Sequence, residues 1–247
     1  MSDTLSLLLG HHSDRSFRDD PVDGAVLDEI VAVAHQAPTS HNAQHVSLVI
    51  VQDAETRRHI AAIAGGQPHI AQAPVFIAVI IDFAKTETAL ALHGKEQQVH
   101  HHLEGLVAGS VDVGIQIATL MIAARASGLG AVPIGGIRND LAALNTLLAL
   151  PQGCTAVTGL CIGHVDQPAA VKPRLARSTY RHDERYSDQD RASAIAEYDD
   201  RLTAHWAAIC RMEGESWSAS IAEFYDHDYY PGVAAAFAAQ GLFTEKE

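Results

Sequence analysis

Side chains that could bind an anion cluster in GHHSDRSFRDD, residues 10–20. His11, His12, Ser13 and Arg15 carry N–H or O–H groups that can donate hydrogen bonds to phosphate or carboxylate oxygens. A solvated loop is the alternative interpretation, because polar side chains are also usual in surface loops. The segment alone does not decide between an anion site and a loop.

A second cationic stretch lies at residues 172–186. It contains five of the seventeen lysines and arginines: Lys172, Arg174, Arg177, Arg181 and Arg185. On a chain of net charge −13, this concentration predicts a local positive site that suits a small anionic ligand better than a polymer. A surface strand with scattered salt bridges would give the same composition.

A glycine pair, Gly135-Gly136, stands in IGGIRND just after an apolar run and just before a helix cap. Glycine lets backbone N–H groups approach a flat or anionic ligand closely. The stretch is neither a GxGxxG fingerprint nor a Walker loop, and a plain turn explains it equally well.

Metal and covalent chemistry are less favoured. Of the fifteen histidines, His100–His102 are consecutive, and consecutive residues on a helix cannot converge on one ion. We therefore expect solvated histidines there rather than a metal site. No GxSxG elbow occurs, and Cys154 and Cys161 belong with a buried strand. The favoured interpretation is an α/β protein in which two separated cationic stretches could bind one phosphate. That phosphate could belong to a nucleotide cofactor.

Composition limits the class of protein. The 247 residues are 47% apolar and 19% charged, as in a globular protein. The acidic balance disfavours general binding to nucleic acid or to an anionic membrane. The three cysteines form no CxxC, which predicts no disulfide framework and fits a reducing cytosol.

The elements that must position these side chains alternate along the chain. Apolar periodicity and turn residues predict helices at 23–37, 57–64 and 103–127 and a helix capped by Asn139, with strands at 46–51, 75–82, 130–136 and 155–163. This alternation is an α/β pattern, with strands buried on both faces. Residues 85–105 are predicted to be a partly mobile excursion, and helices with a loop at 210–217 follow residue 188.

The longest apolar segment, 103–129, is expected to be a buried helix rather than a membrane span. Charged or polar residues interrupt it at four positions: Glu104, Asp112, Gln116 and Arg125.

Five motifs occur in an order that resembles the nitroreductase family, over roughly residues 5–180. They are GHHSDRSFRDDPV, APTSHNAQ, GGQPHIAQAP, GLGAVPIGGIRND and GLCIGHVDQPAAVKPRL. The chain is most similar to the branch of FMN-dependent NAD(P)H flavin reductases and type-A, oxygen-insensitive nitroreductases.

The resemblance implies an α+β fold, with a mixed, mostly antiparallel sheet flanked by helices, in an intertwined cytoplasmic homodimer. Residues 1–187 would form the FMN-binding core, and 188–247 a helical extension that contributes to the dimer and to the donor or substrate site. The helix at 103–127 would be the central dimer helix.

The implied activity is ping-pong, two-electron reduction of a small planar acceptor, namely a nitroaromatic, a quinone or free flavin, with NADH or NADPH as donor. Reductive dehalogenation or flavin fragmentation on the same fold is an alternative. Binding of flavin or metal without turnover is another.

The resemblance also implies site residues, and no side-chain acid or base is required. Around the FMN phosphate it places His11, His12, Ser13, Lys172 and Arg174. Around the flavin ring it places Arg15 at the pyrimidine edge, Gln67 at the ring edge, the backbone of Ile134, Gly135 and Gly136, and Thr39, Ser40 and Asn42 from the partner subunit.

The chain departs from this branch in two places. The branch usually has arginine where His12 stands, which predicts phosphate affinity that falls as pH rises. The branch is often basic near 211–217, where this chain has RMEGESW. That difference predicts a weak preference for NADPH, or a preference for NADH.

Overall fold

The structure, a computed structural model, describes residues 3–244. The chain divides into two compact units. One contains the residues up to Ala169 together with those from Tyr230 onward, and the other is Ala170–Tyr229. This division differs from the expected boundary at 187/188, because the basic segment folds with the helices that follow it and the end of the chain returns to the first unit.

The first unit is built on a four-stranded sheet. Its strands are β1 (Val46–Val51), β2 (Val75–Asp82), β3 (Gly130–Ile134) and β4 (Cys154–Gly163), in the order β1-β2-β4-β3. All three neighbouring pairs are antiparallel. The structure thus confirms the α+β fold with an antiparallel sheet and corrects the simple α/β pattern. Continuous apolar runs reflect burial and do not specify strand direction.

Burial differs between the strands. Every residue of β2 is buried, as its sequence predicts, whereas β1 is mostly half-buried and its Ile50 is exposed. The expectation that β1 is buried on both faces is therefore wrong for this chain by itself. β1 lies at the edge of the sheet, where one side has no neighbouring strand.

Ten α-helices occur in the described part of the chain. Eight belong to the first unit: α1 (Asp3–Leu9), α2 (Gly24–His35), α3 (Ala54–Ile63), α4 (Pro68–Gln72), α5 (Ala84–Ala91), α6 (Leu103–Ala126), α7 (Leu141–Leu147) and α10 (Val233–Ala239). The second unit contains α8 (Arg191–Ala208) and α9 (Trp217–Tyr225).

Side-chain caps define the start of several helices. Asp23 caps α2 as predicted, and its carboxylate accepts hydrogen bonds from two backbone N–H groups of the first turn. Asp53 caps α3 and starts it earlier than predicted. The cap of α7 is Asp140, not Asn139, because the Asp140 carboxylate accepts from Ala143 N at 2.9 Å.

Short helices were missed. α1 and α4 are too short for a clear apolar period. Residues 85–105 are not one irregular excursion, because they include most of α5 and a 3₁₀ turn at Val99–His101.

Helix α6 packs against the sheet and against α2. By length and composition it could cross a membrane, with a mean hydropathy of 1.8 over its most apolar window. Its Asp112 and Gln116 are buried, however, within a helix that contacts every strand of the sheet. One face of α6 therefore belongs to the core, as expected, but only 33% of the apolar window is buried, and Leu103, Val107 and Val111 are exposed.

Candidate functional site

The loop after α1, residues 10–20, carries the predicted anion-binding side chains and is anchored by the carboxylate of Asp14. This carboxylate is 1% exposed, and Arg125 of α6 lies 3.3 Å from its Oδ2 atom. The Asp14 N–H donates to Ala131 O of β3 at 3.3 Å. A buried carboxylate needs such partners, because an unpaired buried charge is costly. The loop is therefore fixed between α6 and β3.

His12 belongs to this anchor. Its Nδ1 atom lies 2.8 Å from Gly10 O and its Nε2 atom 3.2 Å from Asp14 Oδ1. Arg125 Nη1 donates to the His12 carbonyl at 3.1 Å, and Nη2 lies 3.2 Å from both ring nitrogens. Both ring nitrogens thus have partners inside the protein. These contacts favour a role for His12 in holding the loop.

The glycine pair forms a close cradle with Gln67. A Cβ atom at Gly136 would lie 2.8 Å from Ala64 O and would overlap Gln67 Nε2. A Cβ atom at Gly135 would lie 2.9 Å from Arg138 Nη2. Gln67 Nε2 also donates to Ala64 O at 3.1 Å. Two segments far apart in sequence, 64–67 and 134–136, therefore meet with no room for a larger residue at Gly136.

Arg15 is connected to the region of Gln67 through its electrostatic effect on His69 of α4. The pKa of His69 is lowered from 6.5, first by burial and then by the positive charge of Arg15. The His69 ring is 8% exposed, and its Nε2 atom has no hydrogen-bond partner among the described residues. His69, the second residue of α4, thus places a buried imidazole within the influence of the Arg15 charge and two positions after Gln67.

The loop that carries Thr39, Ser40 and Asn42 is held by α6. Asp112 accepts from Ser40 N at 3.2 and 3.0 Å, and its Oδ2 atom lies 2.9 Å from His45 Nε2. Three non-glycine residues of this loop have positive φ: His41 (51°), Asn42 (53°) and Gln44 (51°). This conformation is unfavourable for side-chain-bearing residues, so the contacts with Asp112 help to maintain it.

In the second unit, hydrogen bonds to its carbonyl groups hold the segment that carries Lys172 and Arg174. Tyr198 Oη donates to Pro173 O at 2.9 Å, and Arg201 Nη2 donates to Arg174 O at 3.1 Å. Both Lys172 and Arg174 are exposed overall. Two side chains of α8 therefore hold the backbone of the segment that carries the two predicted cations.

Within the first unit, the structure brings Gln67 together with Gly135 and Gly136, at the end of β3 formed by Ile134. Arg15 lies close enough to influence His69. His11 and Ser13 flank the anchored His12 and are half-buried. The described contacts of Thr39, Ser40 and Asn42 are with α6 and within their own loop.

Four supporting residues were missed from the sequence as site components: Asp14, His69, Asp112 and Arg125. Asp112 and Arg125 had served only as interruptions of an apolar helix. A charge within an apolar helix needs a buried partner, and that rule could have predicted that each contacts a loop.

The thiols and the histidine tract offer no comparable arrangement. Burial and a hydrogen bond to Asp82 raise the pKa of the Cys154 thiol to about 12, and burial raises the pKa of Cys161. Both cysteines are core residues, as predicted. His100 and His101 are half-buried rather than fully solvated. Across residues 3–244, no group of three or more His, Cys, Asp or Glu residues could hold a metal.

The chain matches two protein-family models: the nitroreductase family over residues 8–164 and the nitroreductase family C-terminal domain over 172–245. It is 39% identical to a Bacillus subtilis protein named FMN reductase, NAD(P)H, over the full length of both chains. Its fold is similar to the hypothetical oxidoreductase YcnD of Bacillus subtilis (TM-score 0.96, 38% identity, full coverage of both chains). It is also similar to the NADPH:FMN oxidoreductase of Vibrio harveyi in complex with NAD+ (TM-score 0.89, 29% identity, 99% of this chain and 100% of that chain).

Proposed function

The chain belongs to the nitroreductase family, and from this premise we propose that it is an FMN-dependent NAD(P)H oxidoreductase. Its acceptors would be nitroaromatics, quinones or free flavin, reduced by two electrons in a ping-pong cycle. The observation that carries the proposal is the contact of Gln67 with Gly136, two positions before His69, whose pKa the charge of Arg15 lowers, in a chain matched over both family domains.

The residues present fit a flavin. No side chain fits at Gly136, because Ala64 O and Gln67 Nε2 fill the space of a Cβ atom, so glycine lets the Gln67 amide pack against the backbone of this turn. The buried His69 Nε2 atom lacks a partner within the described chain, which suits a site that a polar ring edge completes. His11, Ser13, Lys172 and Arg174 would bind the phosphate, and His12 would hold the loop of His11 and Ser13 through Asp14.

Bound FMN would supply the hydride chemistry, taking electrons from the nicotinamide and passing them to the acceptor. The chain's own residues position and tune this group. Arg15 would supply a fixed positive charge at the pyrimidine edge, where negative charge accumulates on reduction. Gln67 would orient the ring edge through its amide, which Ala64 O already fixes.

The site would be completed across a homodimer. The loop of Thr39, Ser40 and Asn42 is fixed on α6 by Asp112, and we propose that it reaches the flavin of the partner subunit. The three free cysteines fit the reducing environment of the cytoplasm.

The decisive experiment is anaerobic. The purified protein is reconstituted with FMN, mixed with NADH or NADPH in a stopped-flow instrument, and then exposed to a panel of acceptors. We expect flavin absorbance to bleach rapidly and to return on addition of a nitroaromatic, a quinone or free FMN. FMN binding without bleaching would favour a non-reducing flavoprotein, and no FMN binding would overturn the proposal.

A further inference from the structure

Trp206, near the end of α8, carries two cations on its indole ring. Lys172 Nζ lies 5.1 Å from the ring centroid, and the guanidinium carbon of Arg211 lies 4.6 Å from it. Both distances are within the range of cation–π attraction. Trp206 is 7% exposed and packs in a small apolar cluster with Tyr198 and Leu202. The ring is therefore a buried, packed support for two cationic side chains.

The same indole fixes the loop at 210–216. Its Nε1 atom donates to Glu215 O at 2.9 Å, and Arg211 N donates to the Trp206 carbonyl at 2.9 Å. A Cβ atom at Gly214 would overlap the ring carbons and lie 2.7 Å from Trp206 Cβ. The loop backbone thus packs directly on the ring, at a position where only glycine fits.

The segment 172–175 also contacts the cluster of Trp206. Its backbone is held by Tyr198 and Arg201, and Leu175 packs against the same apolar cluster. These contacts fix the main chain at Pro173 and Arg174, next to Lys172. The cation–π contact with Trp206 orders the end of the Lys172 side chain.

We propose that Trp206 is a positioning residue, which holds the Lys172 ammonium ready for the FMN phosphate and links it to the loop at 210–216. Because Lys172 is already ordered before the phosphate binds, binding loses less side-chain conformational entropy. The inference rests on the proposed function for the identity of the anion.

The contact itself can be tested without cofactor. The chain has four lysines, Lys85, Lys95, Lys172 and Lys246, so reductive ¹³C-dimethylation gives few NMR signals, and Lys172→Arg assigns one. An ammonium over an indole face is shielded by the ring current. We expect the Lys172 methyl signal upfield of the others, and in Trp206→Leu at the ordinary position. An ordinary position in the unsubstituted protein would overturn the proposal.

The consequence for binding is tested with FMN and, as the matched ligand without phosphate, riboflavin. Trp206→Leu should weaken FMN about three- to tenfold and leave riboflavin unchanged. Trp206→Phe, which keeps an aromatic face, should restore most of the affinity. In a Lys172→Met background, Trp206→Leu should cost no further FMN affinity, since the tryptophan acts through the lysine.

Leu202→Ala is the control for stability, because Leu202 shares the apolar cluster and is 5% exposed. It should lower the melting temperature and leave the FMN Kd unchanged. Equal losses in Leu202→Ala and Trp206→Leu, or additive losses with Lys172→Met, would show a merely structural role. If the unsubstituted protein does not bind FMN, the proposed function fails; if only the variants behave alike, this inference alone fails.

Discussion

The guanidinium of Arg174 is expected to contribute strongly to phosphate affinity. Its backbone is fixed by Arg201, and a hydrogen bond to a charged partner is worth about 1.5–3 kcal/mol. Arg174→Ala should therefore weaken FMN by about 10- to 150-fold and leave riboflavin unchanged, as measured by flavin fluorescence titration. Arg177→Ala, in the same basic segment, is the control. Full FMN occupancy of Arg174→Ala after dialysis would refute the assignment.

His69 should make stability depend on pH. Its folded-state pKa is lowered from 6.5 by burial and by Arg15. Above about pH 6.5 the His69 imidazole is neutral in both the folded and the unfolded chain, so its protonation does not lower the stability of the fold. As pH falls below that value the unfolded chain takes up the proton first, so stability is lost until the folded-state pKa is passed.

His69→Gln should consequently flatten the fall in melting temperature between about pH 7 and 5. His59→Gln, at an exposed position on α3, is the matched control and should keep the slope of the unsubstituted protein. In addition, Arg15→Ala should raise the pKa of His69, measured by NMR titration of the ring C–H. An unchanged pKa would show that Arg15 does not act on this histidine.

The residues that could be predicted from the sequence are those whose type is restricted by the ligand. Gly135, Gly136 and Gln67 stand in short motifs, and they meet in the structure. Asp14 and Arg125 are separated by 111 positions and pair only after folding. Sequence shows the cost of a buried charge but not which distant residue offsets it.

At the scale of elements, the loop at 39–45 should depend on Asp112 of α6. Asp112→Ala removes the acceptor of the Ser40 N–H and the carboxylate that lies 2.9 Å from the buried His45 Nε2 atom. Removing one partner of a buried polar pair costs about 2–5 kcal/mol. Urea unfolding at fixed protein concentration measures this loss, and hydrogen exchange at the Ser40 amide locates it.

Glu104→Ala is the control for this prediction, since Glu104 is exposed in the first turn of the same helix. It should cost no more than about 1 kcal/mol through the helix dipole. Equal effects of the two substitutions, or a Ser40 amide that stays protected in Asp112→Ala, would show that the loop does not need this carboxylate.

The loop between α8 and α9 should give a weak preference for NADPH. The 2′-phosphate normally requires Arg or Lys. Here the Arg211 guanidinium lies on Trp206, and Glu213 and Glu215 are exposed. We expect kcat/KM to favour NADPH by less than about tenfold, equivalent to about 1.4 kcal/mol, or to favour NADH.

Glu213→Arg should shift the kcat/KM ratio toward NADPH, because it replaces a repelling carboxylate by a guanidinium. Glu197→Arg, exposed on α8, carries the same charge change away from this loop and should leave the ratio unchanged. A native preference for NADPH above tenfold would mean that a cation outside this loop binds the 2′-phosphate.

Elements with strong periodicity or caps were predictable, and those defined by tertiary contacts were not. Helix α2 has an apolar face and the cap Asp23, and both were evident. The pairing of β1 with β2 and of β2 with β4 depends on contacts between distant residues. Apolar strand sequences carry no signal of direction, so the antiparallel order came from family resemblance alone.

At the scale of the whole molecule, α1 and α6 leave apolar side chains exposed. Leu103, Val107 and Val111 recur every four residues on α6 and are 58%, 49% and 56% exposed. Leu5, Leu8 and Leu9 of α1 are also exposed. Regular apolar exposure of this kind marks an association surface. It agrees with the homodimer that we propose.

Light scattering should therefore give twice the 26.4 kDa chain mass, and Val107→Glu should move the population toward the single-chain mass. Leu92→Glu is the control, because Leu92 is 82% exposed but lies beyond α5 rather than on α6. A single-chain mass for the unsubstituted protein at micromolar concentration would refute the dimer.

Sharing of sites across the dimer gives a stricter test by complementation. If Arg174 of one chain and Asn42 of its partner serve the same flavin, Arg174→Ala and Asn42→Gly chains are each defective when alone. Glycine at 42 removes the side chain and keeps the positive φ of 53° accessible. A mixed dimer places both defects in one site and leaves the other site intact. Co-expressed variants should thus recover FMN binding and NAD(P)H oxidation toward one functional site per dimer. No recovery in an isolated mixed dimer would show that each site is built from one chain.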